Sequence, residues 1–176
     1  MKLSSSELRK KCLSIKLVIT DVDGVLTDGG MYYGEKGEVM KKFNTRDGMG
    51  VEIIRNKIKV IFMTRENSKI VLRRPKKLRI DDAYIGIQKK EDLLPDICKK
   101  YGISKSEIAY IGDDINDHGI MKEVGFSIAP RDGHEKIKRI SNYICKLNGG
   151  EGVLREVAEL ILSAHNIKGT TKKGNR

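Results

Sequence analysis

The sequence predicts a doubly wound α/β fold on a mostly parallel sheet, and three observations carry that prediction. Short apolar, β-branched runs end in small or acidic residues, segments with helical spacing separate them, and clusters of aspartate close two of the runs. Alternating strands and helices join through right-handed crossovers, which lay the strands parallel and open a site at their carboxyl ends.

In chain order, the first strand is IKLVITD at 15–21, and it leads directly into DVDGVLTD at 21–28. A β-hairpin follows at 29–43, because MYY and VMKKF flank a GEKGE turn. GMGVEIIRNK at 48–57 has helical spacing, and KVIFMT at 59–64 is the second buried strand. SKIVLRRPKKL at 68–78 reads as a helix, AYIGI at 83–87 as a strand, and KEDLLPDICKKYG at 90–102 as a helix closed by glycine. IAYIGD at 108–113 is a fourth strand, followed by GDDIND at 112–117 and a helix over 115–125. Between the strands there is no block large enough for a cap domain, so any closure of the site must come from the hairpin or from another subunit. The expected organisation is one domain over 1–168 with a polar, basic, frayed tail at 169–176.

The 176 residues suffice for one substantial core, and with 39% hydrophobic residues and no tryptophan that core must rest on Ile, Val and Leu. The net charge of +11 is compatible with an anionic substrate, an anionic surface or nucleic acid, and charge alone does not choose. Cys12, Cys98 and Cys145 lack metal-binding or paired spacing and read as reduced, packed thiols. His118, His134 and His165 lack the mutual spacing of a metal site. No apolar run approaches the roughly 18 residues of a membrane span, so a cytoplasmic protein is expected.

The acidic motifs point to phosphoryl transfer. Such chemistry needs an acceptor, a proton donor for the leaving oxygen and cations that neutralise the transferring group. Asp21 is an acceptor already ionised at neutral pH, and Asp23, two residues on, can face the same phosphate as acid and then base. Magnesium prefers oxygen ligands and keeps several waters, a demand that Asp21 and Asp113 suit, with Asp114 or Asp117 left to hold those waters. Thr64 offers a hydroxyl to a phosphate oxygen, with a helix starting near Ser68 to help, or it is a plain cap. Lys89 or Lys90 can pair with phosphate from the following helix start.

DVDGVLTD, MTRENS, the lysine of IQKKED and GDDIND, in that order, resemble the haloacid dehalogenase superfamily of phosphatases. With FNTRDGMG at 43–50 and GGEGVLRE at 149–156, the chain resembles the capless branch that includes 3-deoxy-D-manno-octulosonate 8-phosphate phosphatase and the sialic-acid 9-phosphate phosphatases. That resemblance implies a Rossmann-like sheet without a cap and a homotetramer whose hairpins form a central barrel while neighbouring subunits close each site. It implies Asp21 as nucleophile, Asp23 as acid and base, Thr64 and Lys90 on phosphate, and magnesium on Asp21, Asp113 and the Asp23 carbonyl; Arg65, next to Thr64, is a further phosphate-binding candidate.

After Thr64 the octulosonate enzymes usually read TGR, whereas this chain reads Thr64, Arg65, Glu66. Glu66, Arg74 and Lys77 match the arrangement of some nine-carbon enzymes, so a nonulosonate or sialic-acid-type 9-phosphate is the favoured substrate and the octulosonate 8-phosphate the alternative. The basic helix at 72–78 is then either a carboxylate-binding element or a solvated face. Asn44 and Asp47 line the substrate pocket or simply begin a helix. Two further readings are a nucleic-acid end phosphatase and a non-catalytic assembly module.

Overall fold

A computed structural model describes residues 3–80 and 82–166. The elements run α1 (Ser5–Ser14), β1 (Leu17–Thr20), β2 (Tyr32–Gly34), β3 (Gly37–Met40), α2 (Thr45–Ile54), β4 (Lys59–Met63), α3 (Arg73–Leu78), β5 (Ala83–Tyr84), α4 (Leu94–Tyr101), β6 (Ile108–Ile111), α5 (His118–Glu123), β7 (Phe126–Ala129), α6 (Glu135–Ile140), β8 (Tyr143–Ile144) and α7 (Val153–Ala164). Six strands form one parallel sheet in the order β5-β4-β1-β6-β7-β8, and β2 pairs with β3 in a separate antiparallel ribbon.

All four residues of β1 are buried, as expected of a central strand covered on both faces. Leu17 and Ile19 join a core with Leu94 and Ile97 of α4, Ile120 of α5 and Ile137 of α6. Val18 joins the opposite core with Cys12 of α1, Ile53 and Ile54 of α2, and Val157 and Ile161 of α7. Each fully buried Val, Leu or Ile contributes about 1.5–3 kcal/mol, so two helical layers, not strand propensity, hold the sheet together. The chain passes from β1 to β4 on one side and later returns to β6 on the other. The strand order therefore reverses around β1, where a crevice opens at the carboxyl ends.

The hairpin stands where it was expected, with Gly37 at φ +109° allowing the tight turn and a register shift between Tyr32 and Tyr33. The expected helix at 68–78 shortens to α3, because residues 65–72 form turns and Pro75 sits near the start of the short helix. The strand expected at 83–87 keeps two paired residues. The chain also contains α1, β7, α6, β8 and α7, none of which was drawn from the sequence. The tail expected at 169–176 lies outside the described residues. Cys12, Cys98 and Cys145 are free thiols, and among the described residues no helix is long and apolar enough to cross a membrane.

Two residues suspected of facing substrate have work in the fold. Asn44 caps α2 through its Oδ1, which accepts from the Arg46 amide at 2.9 Å, and its Nδ2 donates to the Gly150 carbonyl at 2.8 Å. Asp47 is buried, and its Oδ1 accepts from the Arg155 amide at 3.2 Å in the first turn of α7. The residue before that helix is Gly152, which has no side chain to cap it, so Asp47 caps α7 from α2. Burial pushes Asp47 up to about 6. Asp47→Ala is expected to cost about 1–2 kcal/mol in thermal or denaturant unfolding while leaving KM nearly unchanged. A raised KM at unchanged stability would instead place Asp47 on substrate.

Candidate active site

Beyond Thr20 the ladder runs one residue further, the Asp21 amide donating to the Ile111 carbonyl at 2.9 Å. The chain then turns sharply, and the amides of Val25, Leu26 and Thr27 all donate to the Val22 carbonyl, at 3.3, 2.9 and 3.1 Å. Gly24 lies at φ +82°, and a Cβ on it would sit 2.0 Å from Asp113 Oδ2. Only glycine lets the first acidic motif come this close to the second. Gly149 supports the turn from the other side: a Cβ there would lie 2.0 Å from the Gly24 carbonyl oxygen, and the next amide, Gly150, donates to the Val25 carbonyl at 3.0 Å. The late GGEG segment thus buttresses the turn between the aspartates.

Asp21 is 4% exposed and bonded to Lys90, which begins a 3₁₀ turn (Lys90–Leu93) leading into α4. The Lys90 ammonium is fully buried and lies 2.7 Å from Asp21 Oδ1, 2.6 Å from Asp117 Oδ1 and 3.0 Å from the Tyr110 hydroxyl. An ammonium has three donors, so all of them are engaged. The lysine expected on phosphate is bonded to the acceptor aspartate. Tyr110 donates to Asp117 Oδ1 at 2.6 Å, and Asp117 Oδ2 accepts from the Asp113 and Asp114 amides at 2.9 and 3.4 Å. Asp117 is therefore buried inside the network, whereas Asp114 is exposed and caps its own turn by accepting from the Ile115 amide at 2.7 Å.

One carboxylate oxygen from each of Asp21, Asp113 and Asp117 lies within 4.8 Å of the others. Burial and the charge of Asp117 push Asp21 up to about 7, although Lys90 pulls the other way. Burial, with the charges of Asp21, Asp117 and Asp114, pushes Asp113 up to about 8. Burial alone would lower Lys90, but the charges of Asp21 and Asp117 outweigh it and raise the ammonium above its ordinary value. One buried cation thus faces more carboxylate charge than it neutralises.

Asp21, Asp23 and Asp113 open onto a cleft of about 320 Å³, which Thr64, Arg65, Glu66, Asp114 and Asn116 also line. The Thr64 hydroxyl accepts from the Glu66 amide at 3.1 Å, so it caps the turn after β4, and no helix starts near Ser68 to add a dipole. Arg65 is exposed and donates to Gln88 at 2.9 Å. Arg74 and Lys77 do not line the cleft of their own chain, and neither do Asn44 and Asp47. Arg74 donates to the Asn44 carbonyl at 2.7 Å and lies 5.8 Å from the Phe43 ring centre, while Lys77 is exposed.

Sequence reasoning missed two residues that bond to the acidic groups. Tyr110 reads as an ordinary inward strand residue, although its spacing of two from Ile108 placed it on one face with that core residue. Lys41 is one of two adjacent lysines at the hairpin exit, and it is fully buried with Nζ 2.6 Å from Asp23 Oδ1. Nothing in the local pattern separates it from exposed Lys42.

A carboxylate at a strand end, gripped by a buried ammonium and facing a cleft with further acidic groups, defines an enzyme that moves a group through carboxylate chemistry. The model of the haloacid dehalogenase-like hydrolase family matches residues 57–157, and the chain belongs to that family; it is a phosphatase. It is 38% identical over 161 residues to 3-deoxy-D-manno-octulosonate 8-phosphate phosphatase of Escherichia coli, covering 91% of this chain and 86% of the relative. The crystal structure of the enzyme of the same name from Moraxella catarrhalis, in complex with magnesium, phosphate and a KDO molecule, superposes with a TM-score of 0.88 at 39% identity, covering 93% of this chain and 94% of that one. A cobalt-bound deoxy-D-mannose-octulosonate 8-phosphate phosphatase from Haemophilus influenzae gives 0.86 at 37% identity, with 89% and 92% covered.

Proposed function

We propose that the chain is a magnesium-dependent phosphatase that hydrolyses the terminal phosphate of a 2-keto-3-deoxy sugar acid through an aspartyl-phosphate, with 3-deoxy-D-manno-octulosonate 8-phosphate as its substrate. The observation that carries this reading is Asp21, held through Oδ1 by buried Lys90 at the head of the cleft, with Asp113 beside it. The names of the relatives support the eight-carbon sugar acid.

The donor set suits magnesium: three crowded carboxylates, all with oxygen donors, of which Asp21 and Asp113 are raised in pKa by burial and by the neighbouring carboxylate charge. Asp21, Asp113 and the Asp23 carbonyl would hold the ion, with Asp114 and Asp117 around them. Bound there, magnesium screens the repulsion between phosphate and the acceptor carboxylate. With Oδ1 of Asp21 fixed by Lys90, its other oxygen attacks phosphorus as the sugar oxygen leaves with a proton from Asp23. Asp23 then takes a proton from the water that hydrolyses the acyl phosphate. Thr64 and Arg65, on the cleft wall, hold phosphate oxygens.

Glu66 supports a second reading. It lines the cleft beside Thr64 and Arg65, so it can meet the substrate, and its presence there favours a nine-carbon 9-phosphate. Comparing kcat/KM for the two sugar acid phosphates, in wild type and Glu66→Arg, separates the readings: a preference of tenfold, about 1.4 kcal/mol, decides the substrate. Chelation of magnesium is expected to stop phosphate release with either.

The proposal includes a homotetramer closed by the hairpins. Met31, Tyr32, Tyr33, Val39 and Met40 are exposed large apolar side chains, Tyr33 at 64% and Val39 at 61%, concentrated on one ribbon. In such an assembly Arg74 and Lys77 would meet the sugar carboxylate of a neighbouring site.

A further inference from the structure

Lys41 is a fully buried ammonium outside the Lys90 cluster, and it arises where the chain leaves an exposed hairpin. Its Nζ lies 2.6 Å from Asp23 Oδ1 and 2.7 Å from Glu38 Oε1. Glu38 in turn accepts from the Ser68 hydroxyl, tying the hairpin to the turns after β4. Burying an ammonium is costly unless it is paired and hydrogen-bonded; Asp23 accepts a hydrogen bond from it and Glu38 adds a second ion pair. The arrangement would be an expensive way to fasten a surface ribbon, since apolar packing would serve as well.

Its effect falls on the two oxygens of Asp23. Oδ1 is occupied by Lys41, with the Thr27 hydroxyl at 3.5 Å, whereas Oδ2 is buried without a hydrogen-bond partner among the described residues. With Oδ1 engaged by the ammonium, the carboxylate cannot rotate freely, and Oδ2 is the oxygen left without a partner. We propose that Lys41 is a positioning residue that grips Asp23 by Oδ1 so that Oδ2 alone exchanges the proton with the leaving oxygen. This rests on Asp23 being the acid and base, as proposed above.

In the first step the Asp21 oxygen forms a bond to phosphorus, the ester P–O bond breaks with its electron pair on the sugar oxygen, and that oxygen takes the proton from Asp23 Oδ2. Asp23 is left as a carboxylate beside the Lys41 ammonium. In the second step Oδ2 takes a proton from water as the water oxygen bonds to phosphorus and the pair of the breaking bond returns to Asp21. The hairpin is thereby coupled to proton transfer as well as to the shape of the cleft.

The test compares kcat/KM on two probes that differ in their need for a proton: 3-deoxy-D-manno-octulosonate 8-phosphate, which expels an alkoxide, and p-nitrophenyl phosphate, which expels a stable phenolate. Because kcat/KM ends at alcohol release, it isolates the first step. Lys41→Met is expected to lose roughly tenfold or more on the sugar phosphate beyond its loss on the aryl phosphate, within the range general acids supply. Equal losses on both probes, or none, overturn the proposal. If Lys41→Met does not fold, the double variant Lys41→Met with Glu38→Gln, which removes a carboxylate stranded by loss of the ammonium, is judged by the same ratio. Asp23→Asn is measured alongside: equal losses there overturn the acid reading itself, whereas a differential loss in Asp23→Asn but not in the Lys41 variants overturns only the role of Lys41.

Discussion

Asp21→Asn is expected to lower magnesium-dependent phosphate release by roughly 10⁴-fold or more, since an amide cannot accept the phosphoryl group and the rest of the site acts through it. The same change is expected to stabilise the metal-free protein at about pH 8. Asp21 is raised to about 7 and Asp113 to about 8, above their unfolded values of 3.8, so the native state binds more protons than the unfolded chain between those limits. Stability contributed by these groups is full below the unfolded pKa and is lost as pH rises through the folded one. Asn at position 21 removes one of the crowded charges and relieves Asp113. The gain in melting temperature should therefore be large near pH 8, absent near pH 4 and reduced by magnesium, which relieves the same crowding. A gain equal at all pH values would mean that carboxylate repulsion is not its source. Sites that trade stability for activity behave in this way.

Lys90→Met has the second largest expected effect, and here activity and stability fall together. The side chain is fully buried between Asp21 and Asp117, and removing one member of a buried ionic group typically costs about 3–5 kcal/mol because uncompensated charge is left behind. At roughly 2–4 °C per kcal/mol for a chain of this size, thermal melts should drop by about 6–20 °C. Adding Asp117→Asn should recover much of the melting temperature by removing one stranded carboxylate, but it should not recover turnover, because Asp21 still lacks its cation. Full recovery of both would assign Lys90 a structural role alone.

The two variants also mark what could be read from the chain. Parallel strands covered on both faces are continuous apolar runs, so β1, β4 and β6 stood out, and Asp21, Thr64 and Asp113, just beyond their ends, gathered at one cleft. The hairpin was legible from its glycine-flanked turn. β7 carried little signal because Ser127 interrupts its short apolar run, and the edge strand β8 because it is two residues long. The helix α7 did carry one: Val153, Leu154, Val157, Ala158, Ile161 and Leu162 are all buried at helical spacing, but the segment was read for its glycine motif. Partnerships were the least legible feature. That Lys90 pairs with Asp21 could not be read, and buried Lys41 cannot be told from exposed Lys42, because pairing is decided by residues distant in the chain.

Asp47 and Asn44 show the same limit from the other side. Asp and Asn next to glycine suit both a ligand pocket and a helix start, and the fold uses them at the starts of α7 and α2. Arg74 and Lys77 lie outside the cleft of their own chain, so the role proposed for them requires a second subunit.

The central claim is that phosphate passes through Asp21. Rapid acid quenching during turnover, followed by peptide mass spectrometry, tests it most directly. A transient phosphoryl adduct on the peptide carrying Asp21, absent from Asp21→Asn and formed only with magnesium, is the predicted result. Turnover with no adduct, together with inversion of configuration at a chiral phosphate, would mean direct attack by water and would contradict the account.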